Sequence, residues 1–385
     1  MLKKINSRVK GIEVPSIRVF SNQVVQFDDG INLTIGEPDF PTPEKVKQAG
    51  MKAINNNLTG YSHNAGLFEL RKSVSRFFEE KYGFYYNPEN EIVITTGASE
   101  GIDSVLRTIL QEGDEVILPA PIYSGYEPII HLNGAKVVYL DTSETDFIPD
   151  PHRLDKLMTE KTKAIILNYP SNPTGVTIGK EVMDRLVHIF KKHSIFVLTD
   201  EIYSENTFNE KHLSFAAYPE LRDQLFLLHG LSKSHAMTGW RVGFVLGPNN
   251  IMQHVLKVHL YNSICASLPS QYAAIEALTS NRDTPATMNQ AYIERRNFVQ
   301  KRLQLMGLKV IQPTGAFYIF PSIKKTELTS LEFATRLLHE GHVAVVPGSG
   351  FTSFGEGYIR ISYANSMKNL ELGMDRLENF IHNLS

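Results

Sequence analysis

Short apolar runs alternate with amphipathic stretches through the middle of the chain. The apolar runs predict strands at 91–96, 115–118, 136–140, 164–167, 195–199 and 225–228. Apolar positions at helical spacing between them predict helices that end near 110 or cover 126–132, 153–158 and 182–191. Strands that alternate with helices in this way indicate an α/β fold with a mostly parallel sheet.

The two ends of the chain show weaker patterns. Residues 1–30 have little periodicity, and Pro15 and the turn at 28–30 predict loops. A strand at 31–35 leads into a proline-rich loop, and a helix is expected from Pro43. Further helices are expected at 67–82, 251–285 with a break at Pro269, 289–305, 331–340 and 370–384. Further strands are expected at 308–311, 316–320, 343–346 and around 360.

Four polar side chains follow predicted strands of the central sheet. They are Tyr123, Asn172, Asp200 and Lys233. Because ligands of parallel α/β sheets bind beyond the carboxyl ends of the strands, we expect these four side chains to meet at one edge. The sequence therefore predicts a ligand site there.

Lys233 lies in the stretch 231–243, just past an apolar strand. A lysine near apolar walls and a second cation can have a lowered pKa and act as a nucleophile or a base. Arg241, in the same stretch, has a planar fork suited to phosphate. Taken alone, both residues are equally compatible with exposed surface positions.

A strand, a turn of small residues and a helix follow one another around Gly97, Ala98 and Ser99. This arrangement presents free backbone N–H groups to a phosphate. A glycine in such a turn also occurs for purely steric reasons, so both interpretations stay open.

Two buried charges call for partners. Asp200 ends an apolar strand, where a carboxylate needs a cation or serves as a helix N-cap. Arg360 lies inside an apolar strand and calls for an anion.

Bulk composition narrows the class of protein. A length of 385 residues predicts two domains. A formal net charge of −2 gives no reason to expect nucleic acid or an anionic membrane as a partner. The longest apolar runs fall well short of a bilayer span, and the start lacks the apolar core of a signal peptide. With one cysteine, no internal disulfide is possible, so a cytoplasmic protein is expected. No cluster of metal-ligand residues is evident, and no metal is expected.

The residues Ser232, Lys233, Gly239, Arg241 and Gly243 match a spacing that resembles the pyridoxal-phosphate lysine signature of the class I aminotransferases. The resemblance runs from about residue 15 to the end of the chain and includes several motifs in the family's order. It implies pyridoxal 5′-phosphate as cofactor.

The resemblance also implies the architecture of the fold-type I pyridoxal-phosphate-dependent transferases. This is a large α/β domain with a mainly parallel seven-stranded sheet and a smaller α/β domain. For this chain we expect an N-terminal arm that joins the small domain at 1–40, the large cofactor-binding domain at 41–285 and the small C-terminal domain at 286–385.

The family assigns cofactor roles to matching positions of this chain. Lys233 would hold the cofactor covalently, and Asp200 would meet the protonated pyridine nitrogen. Asn172 and Tyr203 would donate to the pyridine 3′-oxygen, and Tyr123 would stack on the ring. The remaining cofactor contacts would come from Gly97, Ala98, Ser99, Ser232 and Arg241.

Tyr61 matches a family tyrosine that crosses a dimer interface to the cofactor phosphate of the other subunit. The resemblance therefore implies a homodimer with shared active sites, and it adds Tyr61 to Lys233 and Asp200 among the catalytic residues. Packing under a helix start is the alternative for this tyrosine.

Substrate contacts are implied as well. Arg360 would bind the substrate α-carboxylate as a fork, with Asn172 and the backbone N–H of Gly36. The family's N-terminal segment folds over the substrate, so Ile17 would give an apolar wall near the side chain. Arg18 would either face an anionic distal group or point to solvent.

The implied reaction is transamination between an amino acid and a 2-oxo acid. The likeness extends to the bacterial N-acetyl-diaminopimelate aminotransferases, which implies N-acetyl-LL-2,6-diaminopimelate as donor, 2-oxoglutarate as acceptor and a place in lysine biosynthesis. A broad aromatic or aspartate aminotransferase is the first alternative, and a carbon–sulfur lyase is the second, because one scaffold supports several reactions. A pyridoxal-binding transcription regulator is disfavoured, since only about 30 residues precede the enzyme pattern.

Overall fold

The computed structural model describes residues 1, 4–208 and 210–384. Its helices, in chain order, are α1 Ser7–Lys10, α2 Ser16–Gln23, α3 Glu44–Asn55, α4 Phe68–Tyr82, α5 Ala98–Ile109, α6 Tyr126–Leu132, α7 Pro151–Leu157, α8 Lys180–His193, α9 Asn249–Ser263, α10 Leu268–Leu278, α11 Thr284–Leu305, α12 Ser330–Gly341 and α13 Met367–His382. Its strands are β1 Ile31–Asn32, β2 Ile92–Thr95, β3 Glu115–Ala120, β4 Lys136–Asp141, β5 Thr162–Asn168, β6 Phe196–Asp200, β7 Leu225–Gly230, β8 Gly243–Leu246, β9 Tyr318–Ile319, β10 Val343–Ala344, β11 Val346–Pro347 and β12 Ile359–Ser362.

A seven-stranded sheet in the order β2-β8-β7-β6-β5-β3-β4 forms the centre of the molecule. Only β8 runs antiparallel to its neighbours in this sheet. The β5–β6 and β6–β7 pairs are in regular register, for example Asn168 opposite Asp200, whereas the register of the β3–β5 pair shifts between Glu115 and Val116. The predicted α/β fold with a mainly parallel seven-stranded sheet is confirmed.

Both faces of this sheet are covered. Along β5, Ile165 and Leu167 pack into one apolar cluster, whereas Ala164 and Ile166 pack into another. Successive strand residues point to opposite faces, so helices must cover both sides. This explains why the strands read as continuous apolar runs.

A further apolar cluster joins the N-terminal segment to the C-terminal quarter of the chain. It includes Phe20 and Leu33 together with Tyr292, Phe333 and Leu377. Two small sheets lie here, a parallel β1-β10 pair and an antiparallel β11-β12-β9 sheet. Division of the chain into 1–40, 41–285 and 286–385 stays a prediction.

Several details of the predicted elements were wrong or missing. The strand at 31–35 ends at Asn32, whose side chain accepts hydrogen bonds from Thr34 and turns the chain. The predicted strand at 308–311 forms only an isolated bridge from Lys309 to Ser322. The predicted strand at 343–346 divides between β10 and β11, which belong to different sheets. The sequence pattern also missed α2, where Pro15 is the N-cap and Phe20 is the buried residue.

The helical region at 251–285 is also divided. The first helix ends at Ser263, and Pro269 lies in the first turn of the next helix. A proline is tolerated there because the first N–H groups of a helix have no partner within it. No helix among the described residues is long and apolar enough to cross a membrane.

Candidate active site

Strands β7, β6, β5 and β3 are neighbours, and all four run in the same direction. Their carboxyl ends therefore meet at one edge of the sheet. Lys233, Asp200, Asn172 and Tyr123 follow these ends. The structure thus brings together the four polar side chains that the sequence pattern places after strands.

Lys233 points at the loop that follows β1. Its Nζ donates to the Gly36 carbonyl oxygen at 2.7 Å. Burial, opposed by Glu37 and Asp200 and aided by the charges of Arg360 and Arg241, lowers the pKa of Lys233 to about 8. Near pH 8 a large fraction of this amine is therefore neutral, as a nucleophile or a base requires.

The loop that carries Gly36 is fastened to the segment that carries Lys233. Thr42 Oγ1 donates to the Ala236 carbonyl oxygen at 2.6 Å and accepts from Trp240 Nε1 at 3.0 Å. These bonds tie residues before α3 to residues after β7. They fix the position of the lysine amine relative to the loop.

Asp200 is buried at the end of β6, with 5% of its surface exposed. Its carboxylate accepts from Tyr126 Oη at 2.6 Å and from the Ile202 N–H at 3.2 Å. Burial raises the pKa of Asp200 to about 6 in spite of these donors. A buried carboxylate of this kind favours the binding of a cation beside it.

The start of α5 forms a candidate anion-binding site. Its N-cap Gly97 has φ of 79°, and no side chain caps the helix. A Cβ on Gly97 would lie 2.4 Å from Arg241 Nη2, so the guanidinium lies directly against this turn. A Cβ on Gly243 would lie 2.5 Å from the Ala98 nitrogen, which explains the glycine after Arg241. Free N–H groups, the helix dipole and an arginine all favour a phosphate here.

The two serines expected at the cofactor lie differently. Ser99, in the first turn of α5, is exposed, as an anion-binding turn requires. Ser232, next to Lys233, is buried.

Arg360, on β12, is buried with 1% of its surface exposed. Its Nη1 donates to Asn172 Oδ1 at 2.8 Å, and its Nη2 donates to the Thr34 carbonyl oxygen. Its Nε has no hydrogen-bond partner among the described residues. Burial lowers the pKa of Arg360. A buried guanidinium held in this way needs an anion to balance its charge.

Asp200 and Arg360 both act electrostatically on Tyr123 and Tyr203. Burial raises the pKa of Tyr123, and the charge of Asp200 raises it further, whereas Arg18, Arg360 and Arg241 lower it. Tyr203 is buried, and its hydroxyl lies 2.7 Å from that of Tyr318.

Two of the expected residues are not among the site contacts described above. Tyr61 is 81% exposed and joins none of the contacts described above. Ile17 packs against the apolar cluster on one face of the central sheet, and Arg18 beside it is exposed. The catalytic role of Tyr61 and the substrate contact of Ile17 stay predictions.

Sequence reasoning missed three residues of the site. Glu37 acts electrostatically on Lys233, Tyr126 donates to Asp200, and Tyr318 contacts Tyr203. Tyr126 could have been predicted, because it follows β3 and the turn after it, as the other site residues follow their strands. Tyr318 and Glu37 are brought in by the packing of distant segments, which periodicity does not report.

The residues present fit pyridoxal 5′-phosphate. The uncapped turn at Gly97 with Arg241 suits its phosphate, and buried Asp200 suits its protonated ring nitrogen. The Lys233 amine lies within electrostatic reach of both Asp200 and Arg241. A ligand with one anionic end, a cationic ring and a carbonyl satisfies all three requirements.

Comparison with known proteins supports this fit. The family model for aminotransferase class I and II matches residues 28–377. A Bacillus subtilis protein named as a probable N-acetyl-LL-diaminopimelate aminotransferase is 51% identical over 98% of this chain and 95% of its own. Aromatic-amino-acid aminotransferase 2 of Thermococcus litoralis is 38% identical over 97% of both chains. The structure of Thermus thermophilus aspartate aminotransferase with maleate superposes with a TM-score of 0.93 at 32% identity, covering 97% of this chain and 99% of that one.

Proposed function

The chain belongs to the class I and II aminotransferases, a family that depends on pyridoxal 5′-phosphate, and from this premise we propose its substrates and the roles of its residues. The amino donor is N-acetyl-LL-2,6-diaminopimelate and the acceptor is 2-oxoglutarate, a step toward diaminopimelate and lysine in the cytoplasm. One observation supports these residue roles. The Lys233 amine has a lowered pKa, and the charges of Arg241, Asp200 and Arg360 act on it.

When bound, pyridoxal 5′-phosphate supplies a carbonyl that takes up the amino group and a ring that accepts electrons. Asp200 keeps the ring nitrogen protonated by supplying a buried negative charge. Arg360 and Asn172 hold the substrate α-carboxylate, and this fixes the Cα–H bond relative to Lys233. The Lys233 Nζ then removes the Cα proton.

The proposed donor rests on two lines of support. The Bacillus subtilis relative carries this specificity in its name and is more similar than the aromatic and aspartate enzymes. Arg18 is exposed, yet its positive charge lowers the pKa of Tyr123, the residue expected to stack on the cofactor ring. A guanidinium there suits the distal carboxylate that the proposed donor and 2-oxoglutarate share. The relatives named above are all aminotransferases, so they give the lyase alternative no support.

Substrate choice provides the first test. We expect kcat/KM for N-acetyl-LL-diaminopimelate to exceed that for aspartate and for phenylalanine by at least about 100-fold, because a site that pairs a distal amide and carboxylate rejects analogues that leave its polar groups unpaired. Steady-state kinetics with 2-oxoglutarate as acceptor measures the three values. An equal or higher value for either common amino acid would refute the donor and leave the aminotransferase assignment intact.

The variant Arg18→Met makes this test sharper. It should lower kcat/KM for the proposed donor and for 2-oxoglutarate and leave that for phenylalanine unchanged. A uniform loss for all three substrates would instead indicate a folding effect of the N-terminal helix.

The proposed homodimer provides the second test. If Tyr61 serves the partner's site, mixing Tyr61→Ala and Lys233→Ala subunits in equal amounts gives heterodimers with one intact site. We expect recovery of about a quarter of the wild-type activity after subunit exchange. Because Tyr61 is 81% exposed in one chain, its loss should not disturb the fold.

The same mixture assayed before exchange is the control and should show only the activity of its parents. Exchange is verified by mass spectrometry of differently tagged subunits. No recovery after verified exchange would place Tyr61 outside the partner's site.

A further inference from the structure

Tyr318 contacts three of the proposed site residues at once. It lies on β9, which pairs with β12, the strand of Arg360, and 1% of its surface is exposed. A Cβ on Gly36 would lie 2.0 Å from the Tyr318 hydroxyl oxygen. The hydroxyl therefore occupies the space that a side chain at position 36 would need.

The hydroxyl of Tyr318 lies 2.7 Å from that of Tyr203. Each hydroxyl has one hydrogen, and at this distance one of the two must donate to the other. If Tyr203 directs its hydrogen to a ligand oxygen, Tyr318 must donate to Tyr203. A donated hydrogen bond polarises the Tyr203 hydroxyl and strengthens the bond that it makes onward.

The ring of Tyr318 has a separate contact. The guanidinium carbon of Arg360 lies 4.3 Å from the centre of this ring and 5.0 Å from that of Phe351. Two aromatic rings thus hold the guanidinium while Nη1 reaches Asn172. A cation over an aromatic face is stabilised most where water is excluded, as it is around this buried arginine.

We propose that Tyr318 is a positioning residue with two separable tasks: its hydroxyl directs the Tyr203 hydroxyl toward the cofactor, and its ring holds Arg360 for the substrate carboxylate. This inference rests on the proposed function, since it assumes that pyridoxal 5′-phosphate binds beside Tyr203. The charged and titratable groups that act on the pair are Arg360, Tyr123 and Asp200.

Three variants separate the two tasks. Tyr318→Phe removes the hydroxyl and keeps the ring, Phe351→Leu removes the other ring beside Arg360, and Tyr318→Leu removes both hydroxyl and ring on one side. The first readout is a pH titration of the absorbance of the bound cofactor. Its midpoint is the pH at which half of the absorbance change has occurred. The second readout is the inhibition constant of glutarate, an unreactive carboxylate that competes with substrate.

Tyr318→Phe should raise the absorbance midpoint by about half a pH unit or more, because Tyr203 becomes a weaker donor to the cofactor oxygen. It should change the glutarate constant by less than about twofold, since the ring remains. Phe351→Leu should show the reverse pattern: a constant raised by roughly threefold or more and an unchanged midpoint. Tyr318→Leu should change both quantities.

An unchanged midpoint in a folded Tyr318→Phe protein, or an unchanged glutarate constant in Tyr318→Leu, would overturn the corresponding task. Melting temperatures of the loaded variants show whether they are folded, and the isosteric Phe replacement keeps the test possible even if Tyr318→Leu fails to fold. If wild-type protein shows no cofactor absorbance at all, the proposed function itself fails and this inference fails with it.

Discussion

Replacing Lys233 by alanine should lower kcat by about ten-thousand-fold or more, because the variant lacks both the amine that holds the cofactor and the base that moves the proton. The fold should persist. Within the part of the chain that the structure describes, the Lys233 side chain makes one hydrogen bond, to the Gly36 carbonyl oxygen, and its removal also relieves the burial of a cation. Kinetics, circular dichroism and gel filtration of the variant measure these outcomes.

Lys325→Ala is a matched control for this variant. Its Nζ also donates to a backbone carbonyl oxygen, that of Met306, and neither residue is among the site residues described above. We expect this control to keep wild-type activity. If Lys233→Ala keeps more than about a hundredth of wild-type kcat, Lys233 is not the essential base.

Replacing Asp200 by asparagine should lower kcat by about 10²–10³-fold or more, because the buried charge that keeps the ring nitrogen protonated is lost. Asparagine has the same shape, and its amide oxygen can still accept from the Ile202 N–H. The Tyr126 hydroxyl can turn to accept from the new NH₂ group. The loss is therefore electrostatic rather than steric.

The same variant should make the cofactor-free protein more stable at alkaline pH. Burial raises the pKa of Asp200 from its ordinary value near 3.8 to about 6. Below pH 3.8 the carboxyl group is protonated in both the folded and the unfolded chain. As pH rises to 6 the unfolded chain loses this proton first, so the free energy of unfolding falls, by about 3 kcal/mol at most. Asparagine removes this penalty.

Urea unfolding of cofactor-free wild-type and variant protein at pH 5 and pH 8 measures the difference. Asp200→Asn should be more stable than the wild type by a larger margin at pH 8 than at pH 5. At both pH values its activity should be lower than that of the wild type. Asp184→Asn is the control, since Asp184 is exposed and its ion pair with Lys180 lowers its pKa. An Asp200→Asn protein that is inactive and also less stable at pH 8 would point to a folding defect.

The central sheet was predictable because its strands are buried on both faces and therefore read as apolar runs. The strand β8 was missed because its residues, Gly243–Leu246, directly follow the lysine signature and include a glycine required by the phosphate turn. Helix α2 was missed because Phe20 is the one buried residue that it contributes. With a single buried apolar residue, the helix shows no helical spacing of apolar positions in its sequence.

Within the site, the residues that follow strands were predictable, since topology alone brings Asp200 and Lys233 to one edge. Tyr126 and Tyr318 act through other side chains, and their contacts depend on distances that periodicity does not report. The predicted role of Tyr61 depends on a second chain. Its exposure within one chain is what such a role requires, and the subunit-mixing experiment tests it.

Reduction of the cofactor-loaded protein with borohydride, followed by peptide mapping, tests directly whether Lys233 holds the cofactor. Reduction makes the link between cofactor and lysine permanent, so mass spectrometry identifies the lysine that holds it. We expect a single modified peptide that carries the cofactor on Lys233. A label on any other lysine, or none at all in a protein that transaminates, would contradict it.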